Sequence, residues 1–561
     1  MRISSKHNHF AKGRYRMTTE KKRRRLLWVL IATPIILFLL LAFAALPGKN
    51  IYTVSPETTY ATDHVGDDGF VDNIAALNTR LRGNTTPEQN ANVLIWQAIG
   101  PHPEGTTLPD EYFRWLGQPA PPEEGEYLLP WYYFLRAKTP VAVEEAPPKR
   151  DDEPSVEEIR DARQARAQKW PWKAADEPLL VEWLAKNSRP LELFAQASTR
   201  PAYYNPLVPK PTPAGIAPLI NCLLPTLQYC RQAAQLFVCR AMLHLGAGRT
   251  DEAWKDLITC HRFGQVMEQG GTEVEYRAAV TIQLIAMNAE TVFLSHAKLT
   301  APRLAVCRAD LNNLLPPLHA ADKIDLTERF SALDTLQWMA RTGSEILKLL
   351  NRGADTALAE PVAGRPFSRS TDWDAAMRLA NGWYDRIVTA MRIEDLQARE
   401  QAIRELEDSL KDLSNESEQQ AWAMSILGAK QRGELFGKIV IILMRPSTRK
   451  MAALETRTMQ QHRNLAVAFA LAAYQIDQSR YPAELTDLAP KYLPEIPKDI
   501  YSGGELKYHR TDTGYMLHSI GENRIDDQGR GKNDAPRGDD GAIEMPLKES
   551  PPLDLPFFGI D

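Results

Sequence analysis

The chain has 561 residues, of which 44% are hydrophobic and 25% are charged, and this composition is typical of a folded protein with room for several domains. The formal net charge of −4 is close to neutral for this length, so no global field would attract nucleic acid. We therefore expect no nucleic-acid partner.

The N-terminus has the pattern of a membrane anchor. Residues 1–25 are basic and contain Glu20 as their one acid, whereas residues 26–46 carry no charge and are mostly apolar. At about 1.5 Å per residue, this run can cross a hydrocarbon layer of about 30 Å. The basic flank should stay in the cytoplasm, which predicts a single-pass protein of the cytoplasmic membrane with its bulk in the periplasm.

A cleaved signal peptide is the alternative, because Ala42-Phe43-Ala44 resembles a small-x-small cleavage site. The apolar run is longer than the roughly 7–15 residues of a secretory signal, which favours an uncleaved signal-anchor helix. Residues 47–174 then have the mixed composition of a linker followed by irregular and helical segments.

Residues 175–450 have the periodicity of an α-helical body. The turn at Leu245-Gly246, Gly248-Arg249 and Glu252-Ala253 resembles that of a tetratricopeptide unit, but no tandem copy follows, so a generic αα-hairpin is favoured. A further helix is predicted from Glu273 to about His296. In 398–413, acidic and basic residues alternate at i,i+4 spacing, which indicates a solvated helix face.

The five cysteines of the chain lie in these apolar, helical stretches, and no two of them form a CxxC pair. A zinc ribbon or a thioredoxin-like site is therefore unsupported, and buried free thiols are the favoured interpretation. In an oxidising compartment one or two disulfides are an alternative, and the odd number leaves at least one thiol over. The cysteines are Cys222, Cys230, Cys239, Cys260 and Cys307.

The pattern changes in residues 451–547. An apolar helix ends near Asp477, and a Pro-punctuated segment follows. Between 506 and 518, apolar and polar residues alternate on both sides of Thr513-Gly514, which predicts a β-hairpin. A loop rich in Asp, Asn and Gly comes directly afterwards, and residues 548–561 have the composition of an exposed tail.

This order of elements resembles the globular domain of the major pseudopilin of type II secretion systems. The resemblance implies a small α+β domain in which a helix packs on an antiparallel sheet and an acidic loop binds calcium. The matching residues are Ala473-Tyr474, Arg480-Tyr481-Pro482, Leu485, Tyr492-Leu493-Pro494, Pro497-Lys498-Asp499, Tyr508, Tyr515, Ser519 and Gly521.

The chain also departs from the pseudopilin pattern. Its apolar segment 26–46 contains no Glu, and some 400 residues separate that segment from the pseudopilin-like helix, so assembly into a pseudopilus is not expected. The remainder resembles membrane-anchored helical proteins of planctomycete-type bacteria, a resemblance that implies no activity. Altogether we expect a mainly α protein with an N-terminal transmembrane helix, a large αα-hairpin body and a small C-terminal α+β domain.

The acidic loop is the candidate metal site. Asn523, Asp526 and Asp527 form one donor cluster, and Asp539 and Asp540 form another about a dozen residues later. Calcium takes six to eight oxygen ligands on a flexible scaffold, which such a split loop could supply. No EF-hand pattern is present, and a solvated loop in which the inserted basic residues pair with the carboxylates is the alternative. These basic residues are Arg530, Lys532 and Arg537.

Signals for an enzyme are weak. His518-Ser519-Ile520-Gly521 lacks the first glycine of a nucleophile elbow, and Cys260-His261 are neighbours in a helix that point about 100° apart. We therefore expect a non-enzymatic interaction or scaffold protein with a protein partner, associated with an envelope or secretion assembly. An envelope hydrolase whose site is assembled from distant residues of the helical body is the alternative.

Overall fold

A computed structural model of the chain describes residues 52–138, 155–212, 215–342, 371–422 and 427–547. The predicted anchor 26–46 and the tail 548–561 lie outside the described residues. Among the described helices, Glu273–His296 is long and apolar enough to cross a membrane by length and composition. However, 56% of its most apolar window is buried inside the protein, as in the core helix of a globular domain.

The described part of the chain is mainly α-helical, as the sequence predicts. In chain order the α-helices are α1 (Asn73–Arg82), α2 (Ala91–Ile99), α3 (Asp110–Leu116), α4 (Trp131–Lys138), α5 (Val156–Ala167), α6 (Pro178–Lys186), α7 (Ser188–Ala197), α8 (Thr226–Gly246), α9 (Thr250–Met267), α10 (Glu273–His296), α11 (Ala301–Asn312), α12 (Ala320–Lys323), α13 (Arg329–Thr342), α14 (Trp373–Met391), α15 (Leu396–Trp422), α16 (Ala429–Leu443) and α17 (Thr448–Gln478).

The first core of the helical body forms around α8, α9 and α10, with α2 and α7 packed beside them. Helices α8 and α9 are the predicted αα-hairpin, which is confirmed. Helix α10 begins with a capping box, in which Thr272 and Glu275 exchange side-chain and backbone hydrogen bonds. The buried faces of Phe237, Phe263 and Met287 meet in this core, where removal of apolar surface from water stabilises the packing.

The second core lies between α13, α14, α15 and α16. The apolar segment 439–444, whose sequence fits either a strand or a helical turn, belongs to the end of α16 up to Leu443. Gly437 allows α16 to approach α14 closely, because a Cβ there would lie 2.8 Å from the Ala376 carbonyl oxygen. Trp373 and Phe436 stack across this contact with their ring centroids 5.4 Å apart.

The small C-terminal sheet is antiparallel and has the order β1 (Lys507–Arg510), β2 (Tyr515–His518), β3 (Ile543–Met545). Tyr508 pairs with Leu517, and Leu517 pairs with Ile543. The predicted hairpin and the small antiparallel sheet near the C-terminus are thus confirmed. The buried face of the sheet packs on Val467 and Leu471 of α17, which forms the third core.

A polar cluster lies inside the first core, where α9, α10 and α17 meet. The fully buried His261 of α9 hydrogen bonds through Nδ1 to Glu290 of α10 at 2.9 Å. The ring of His462 of α17 lies 4.9 Å from that of His261, and its Nε2 is 3.4 Å from Gln283 Oε1. Burial and the neighbouring His261 lower the pKa of His462 to about 3.

The low pKa of His462 predicts a loss of stability in acid. The unfolded chain takes up a proton at this residue near pH 6.5, whereas the folded protein does so only near pH 3, so the free energy of unfolding falls as the pH drops through that window. Between pH 7 and pH 5 the loss due to this residue should reach up to about 2 kcal/mol.

Urea unfolding at both pH values measures this loss. The His462→Gln variant should lose less stability than the unsubstituted protein over the same interval. His509→Gln, at an exposed position of β1, is the matched control and should leave the pH dependence unchanged. An equal pH dependence in His462→Gln and the unsubstituted protein would contradict the assignment.

Candidate metal centre in the loop between β2 and β3

The loop that joins β2 to β3, residues 519–542, is fixed at its base by Asp499. This buried carboxylate accepts hydrogen bonds from the Ser519 hydroxyl at 2.7 Å and from the Ser502 hydroxyl at 2.8 Å. Asn464 of α17 donates to the Gly541 carbonyl at the other end of the loop at 2.8 Å. Both ends are therefore held against α17 and the segment before β1.

The two predicted donor clusters lie next to each other. The backbone N–H of Asn523 donates to Asp539 Oδ2 at 3.0 Å, and its side-chain amide donates to Asp527 Oδ2 at 2.9 Å. The N–H of Asp539 in turn lies 3.3 Å from Asp527 Oδ2. Asn523 thus links the two clusters, while its side-chain oxygen accepts from the Ile525 N–H at 2.6 Å.

The carboxylates of Asp527, Asp539 and Asp540 converge. One oxygen of each lies within 4.8 Å of the others. Two ligands on opposite sides of a calcium ion, each at about 2.4 Å, would lie about 4.8 Å apart, so the spacing is compatible with one ion. Asp540 Oδ2 accepts from the Gly529 N–H at 2.8 Å.

Two oxygens in this group have no hydrogen-bond partner among the described residues, namely Asp539 Oδ1 and Asp540 Oδ1. Asp540 is only 5% exposed, so water does not readily solvate its free oxygen. Burial raises the pKa of Asp540, and the nearby charges of Asp527 and Asp526 raise it further, against the lowering effects of Gly529 N–H and His518. A bound cation would relieve both the desolvation and the repulsion.

His518 also lies beside the carboxylates of the loop, and the sequence did not predict it as a site residue. Its Nε2 lies 3.0 Å from Asp526 Oδ1 and 3.7 Å from Asp540 Oδ2, and its Nδ1 has no partner among the described residues. Hydrogen bonds from His518 and from the Gln528 N–H lower the pKa of Asp526. The sequence feature that could have identified His518 as a site residue is its position as the last residue of β2, directly before the acidic loop.

The inserted basic residues behave differently from one another. Arg530 Nη2 lies 3.6 Å from Asp527 Oδ1, so this pair partly compensates one ligand, as the alternative interpretation of the loop expects. Within the described ranges, neither Lys532 nor Arg537 comes within 4.0 Å of a carboxylate oxygen. The carboxylate cluster therefore keeps a surplus of negative charge around Asp539 and Asp540.

The donor set fits a hard divalent cation. Asp527, Asp539 and Asp540 offer only oxygen atoms, which are the ligands that calcium prefers. The set His518, Asp526 and Asp540 contains one nitrogen and would suit a transition metal better. Since His518 is already engaged with Asp526 at 3.0 Å, the oxygen-only set is the better cation site.

The residues that the sequence offered as weak catalytic signals have structural contacts. Ser519 is buried and donates to Asp499, which agrees with the interpretation of a strand-end residue. The Cys260 thiol contacts the Ala234 carbonyl oxygen at 3.8 Å, whereas the adjacent His261 faces Glu290. Burial raises the pKa of Cys260 well above its usual range, so the thiol stays protonated at neutral pH. All five cysteines are free thiols.

Comparison with protein-family models, with curated proteins and with solved structures finds no match for this chain. The resemblance to a pseudopilin therefore stays a prediction from the sequence.

Gly521 tests the geometry of the loop directly. Its φ of +69° is unfavourable for residues with a side chain, and a Cβ there would lie 2.5 Å from Asp539 Oδ1. Gly521→Ala should therefore move Asp539 and destabilise the loop by about 1 kcal/mol or more.

Hydrogen exchange of the loop amides measures the effect, because Asn523 N–H donates to Asp539 and should lose protection. Gly504→Ala is the matched control, since the nearest atom to its Cβ, the Ser502 hydroxyl oxygen, lies 3.6 Å away. Unchanged protection of Asn523 in Gly521→Ala would refute this account of the loop.

Proposed function

We propose that the protein is a membrane-anchored interaction protein whose C-terminal α+β module is stabilised by calcium and docks a protein partner. The buried, unpartnered Oδ1 of Asp540, inside a group of three converging carboxylates, carries the calcium part of this proposal. A loop that only needed solvent would have no reason to bury a carboxylate beside two others.

The position of the loop supports a structural role for the ion. Asp527 lies in the first half of the loop and Asp539 and Asp540 lie near its end, so a shared ion would connect two separate segments of the loop. The topology also agrees with the pseudopilin resemblance, because a long helix packs on a three-stranded antiparallel sheet and the acidic loop joins two strands. Weak affinity would suffice in an extracytoplasmic compartment, where calcium sites with affinities of about 10⁻⁴–10⁻³ M are usual.

The anchor and the partner belong to the same proposal. The basic residues 1–25 and the apolar residues 26–46 favour insertion with the N-terminus in the cytoplasm, and this leaves the C-terminal module in the periplasm. The loop carries Ile525, a large apolar side chain that is 61% exposed. A calcium-ordered loop would present this side chain to a protein partner in an envelope or secretion assembly.

Calcium should raise the thermal unfolding temperature of the full-length protein, purified in detergent and freed of metal by chelation. At a concentration 100 times the dissociation constant, the gain is about 2.7 kcal/mol. Asp540→Asn and Asp539→Asn should each remove most of that gain, because each substitution deletes a charged ligand from the group.

Asp512→Asn is the control, since it removes one negative charge from the exposed turn between β1 and β2 and should leave the calcium effect intact. Magnesium at the same concentration controls for ionic strength and should stabilise less, because it demands stricter octahedral geometry. If the unsubstituted protein unfolds at the same temperature with and without calcium, the metal proposal is wrong.

The anchor has its own test. In a bacterial expression host, the full chain should stay in the membrane pellet after an alkaline carbonate wash, and a C-terminal epitope should be digested by protease added to spheroplasts. Deletion of residues 1–46 should leave the protein in the soluble fraction. An epitope protected in spheroplasts, or a full chain that washes off the membrane, would contradict the predicted topology.

A further inference from the structure

A positively charged cleft lies outside the carboxylate group, between α15, α17 and the C-terminal module. Its volume is about 250 Å³. Four arginines and two glutamates line it, in a protein whose formal net charge is −4. The charged lining residues are Arg399, Arg404, Arg449, Arg524, Glu400 and Glu522.

The glutamates do not balance the arginines of this cleft. Glu400 is shared by two guanidinium groups, that of Arg524 at 2.8 Å and that of Arg404 at 3.7 Å. Arg449 reaches only Glu407, at 4.0 Å, and its side chain is largely exposed. Glu522 has no cation within 4.0 Å among the described residues, so the lining as a whole carries two more positive than negative charges, from four arginines and two glutamates.

Arg399 lies at the base of the cleft and is the most buried of the four arginines. It is 8% exposed, although the charge pattern of 398–413 predicts a solvated helix face. That expectation is wrong for Arg399 because α17 packs on this face of α15, where Arg399 Nη2 donates to Thr456 Oγ1 at 2.8 Å.

The charge of Arg399 is only loosely compensated. Its Nη1 lies 3.8 Å from Glu455 Oε1, and that carboxylate also accepts from the Ala320 N–H and lies 3.1 Å from His319 Nδ1. The Nε of Arg399 has no acceptor among the described residues. A buried guanidinium with an incomplete set of acceptors is costly, and an anion in the cleft would offset that cost.

The remaining surface of the cleft suits the rest of a small ligand. Tyr501 of the C-terminal module lines it, and burial raises the pKa of this phenol, so the hydroxyl stays a neutral donor. Ile403 and Ala452 supply apolar lining. An adjoining cleft of about 240 Å³ shares Arg449 and contains Arg445 and Lys450, which extends the positive surface.

We propose that the cleft is a binding site for a small oxyanion, a phosphate or a carboxylate group, held by Arg399 at the base and by Arg449 and Arg524 at the rim. Guanidinium forks match the planar edges of carboxylates and the oxygens of phosphates, and they bind these groups through two hydrogen bonds at a time. Because α15, α17 and the loop each contribute an arginine, the anion would hold the C-terminal module to the helical body.

Isothermal titration of the full-length protein in detergent tests this site. Sodium phosphate and sodium malonate are titrated separately, at ionic strength fixed with sodium chloride, after a chelating resin has removed calcium from the protein and the buffer. At least one anion should bind saturably, with one site per chain. Arg449→Gln and Arg524→Gln should each weaken that binding about tenfold, or about 1.4 kcal/mol.

Arg378→Gln is the matched control, because this half-exposed arginine of α14 pairs with Asp374 outside the cleft and should leave binding unchanged. Binding of phosphate alone, of malonate alone or of both supports the site and identifies its ligand chemistry. No saturation by either anion up to about 10 mM, or equal binding in Arg449→Gln, Arg524→Gln and Arg378→Gln, would overturn the proposal. Since calcium is absent throughout, the titration measures anion binding without a bound cation, and its failure is distinguishable from failure of the metal proposal.

Discussion

The packing of α17 is the constraint on which the rest of the structure depends. This helix runs for 31 residues, or about 46 Å, and its buried residues belong to the first, the second and the third core. Met451 and Ala452 pack in the second core, Leu465 and Phe469 in the first, and Val467 and Leu471 under the sheet. A helix shared in this way couples the stability of the C-terminal module to that of the helical body, because neither can bury its apolar surface without it.

The same helix sets the positions of the candidate sites. Gln460 accepts from the Ile500 N–H at 2.7 Å, and Arg463 donates to the Lys498 carbonyl at 2.7 Å, so the segment before β1 is aligned along α17. Asn464 holds the end of the acidic loop through Gly541. About two turns before Asn464, the hydroxyl of Thr456 accepts a hydrogen bond from the buried Arg399. The acidic loop and the basic cleft are therefore neighbours because they share one helix face, although their residues come from separate parts of the chain.

Local sequence patterns predicted the helices and the hairpin that interactions between near neighbours in the sequence can form. The helix from Glu273 to His296 follows from apolar periodicity, and the hairpin follows from alternation around Thr513-Gly514. Long-range packing decided the rest. Alternation along β2 places His518 opposite the apolar face, yet His518 is buried because the loop folds over it toward Asp526. Asp499 and Arg399 likewise acquire their partners from segments that are 20 and 57 residues away in sequence.

The acidic loop and the basic cleft meet at residues 522–524. Glu522 lines the basic cleft and also a second cleft beside Asp539 and Asp540. The N–H of Asn523 donates to Asp539, and Arg524 donates to Glu400 of α15. A cation that fixes Asp539 would therefore restrict the backbone that carries Arg524, and an anion beside Arg524 would restrict the same three residues from the other side. Each ion would then increase the affinity of the protein for the other ion. The size of this effect equals the difference in the binding free energy of an ion between the ordered and the displaced positions of residues 522–524.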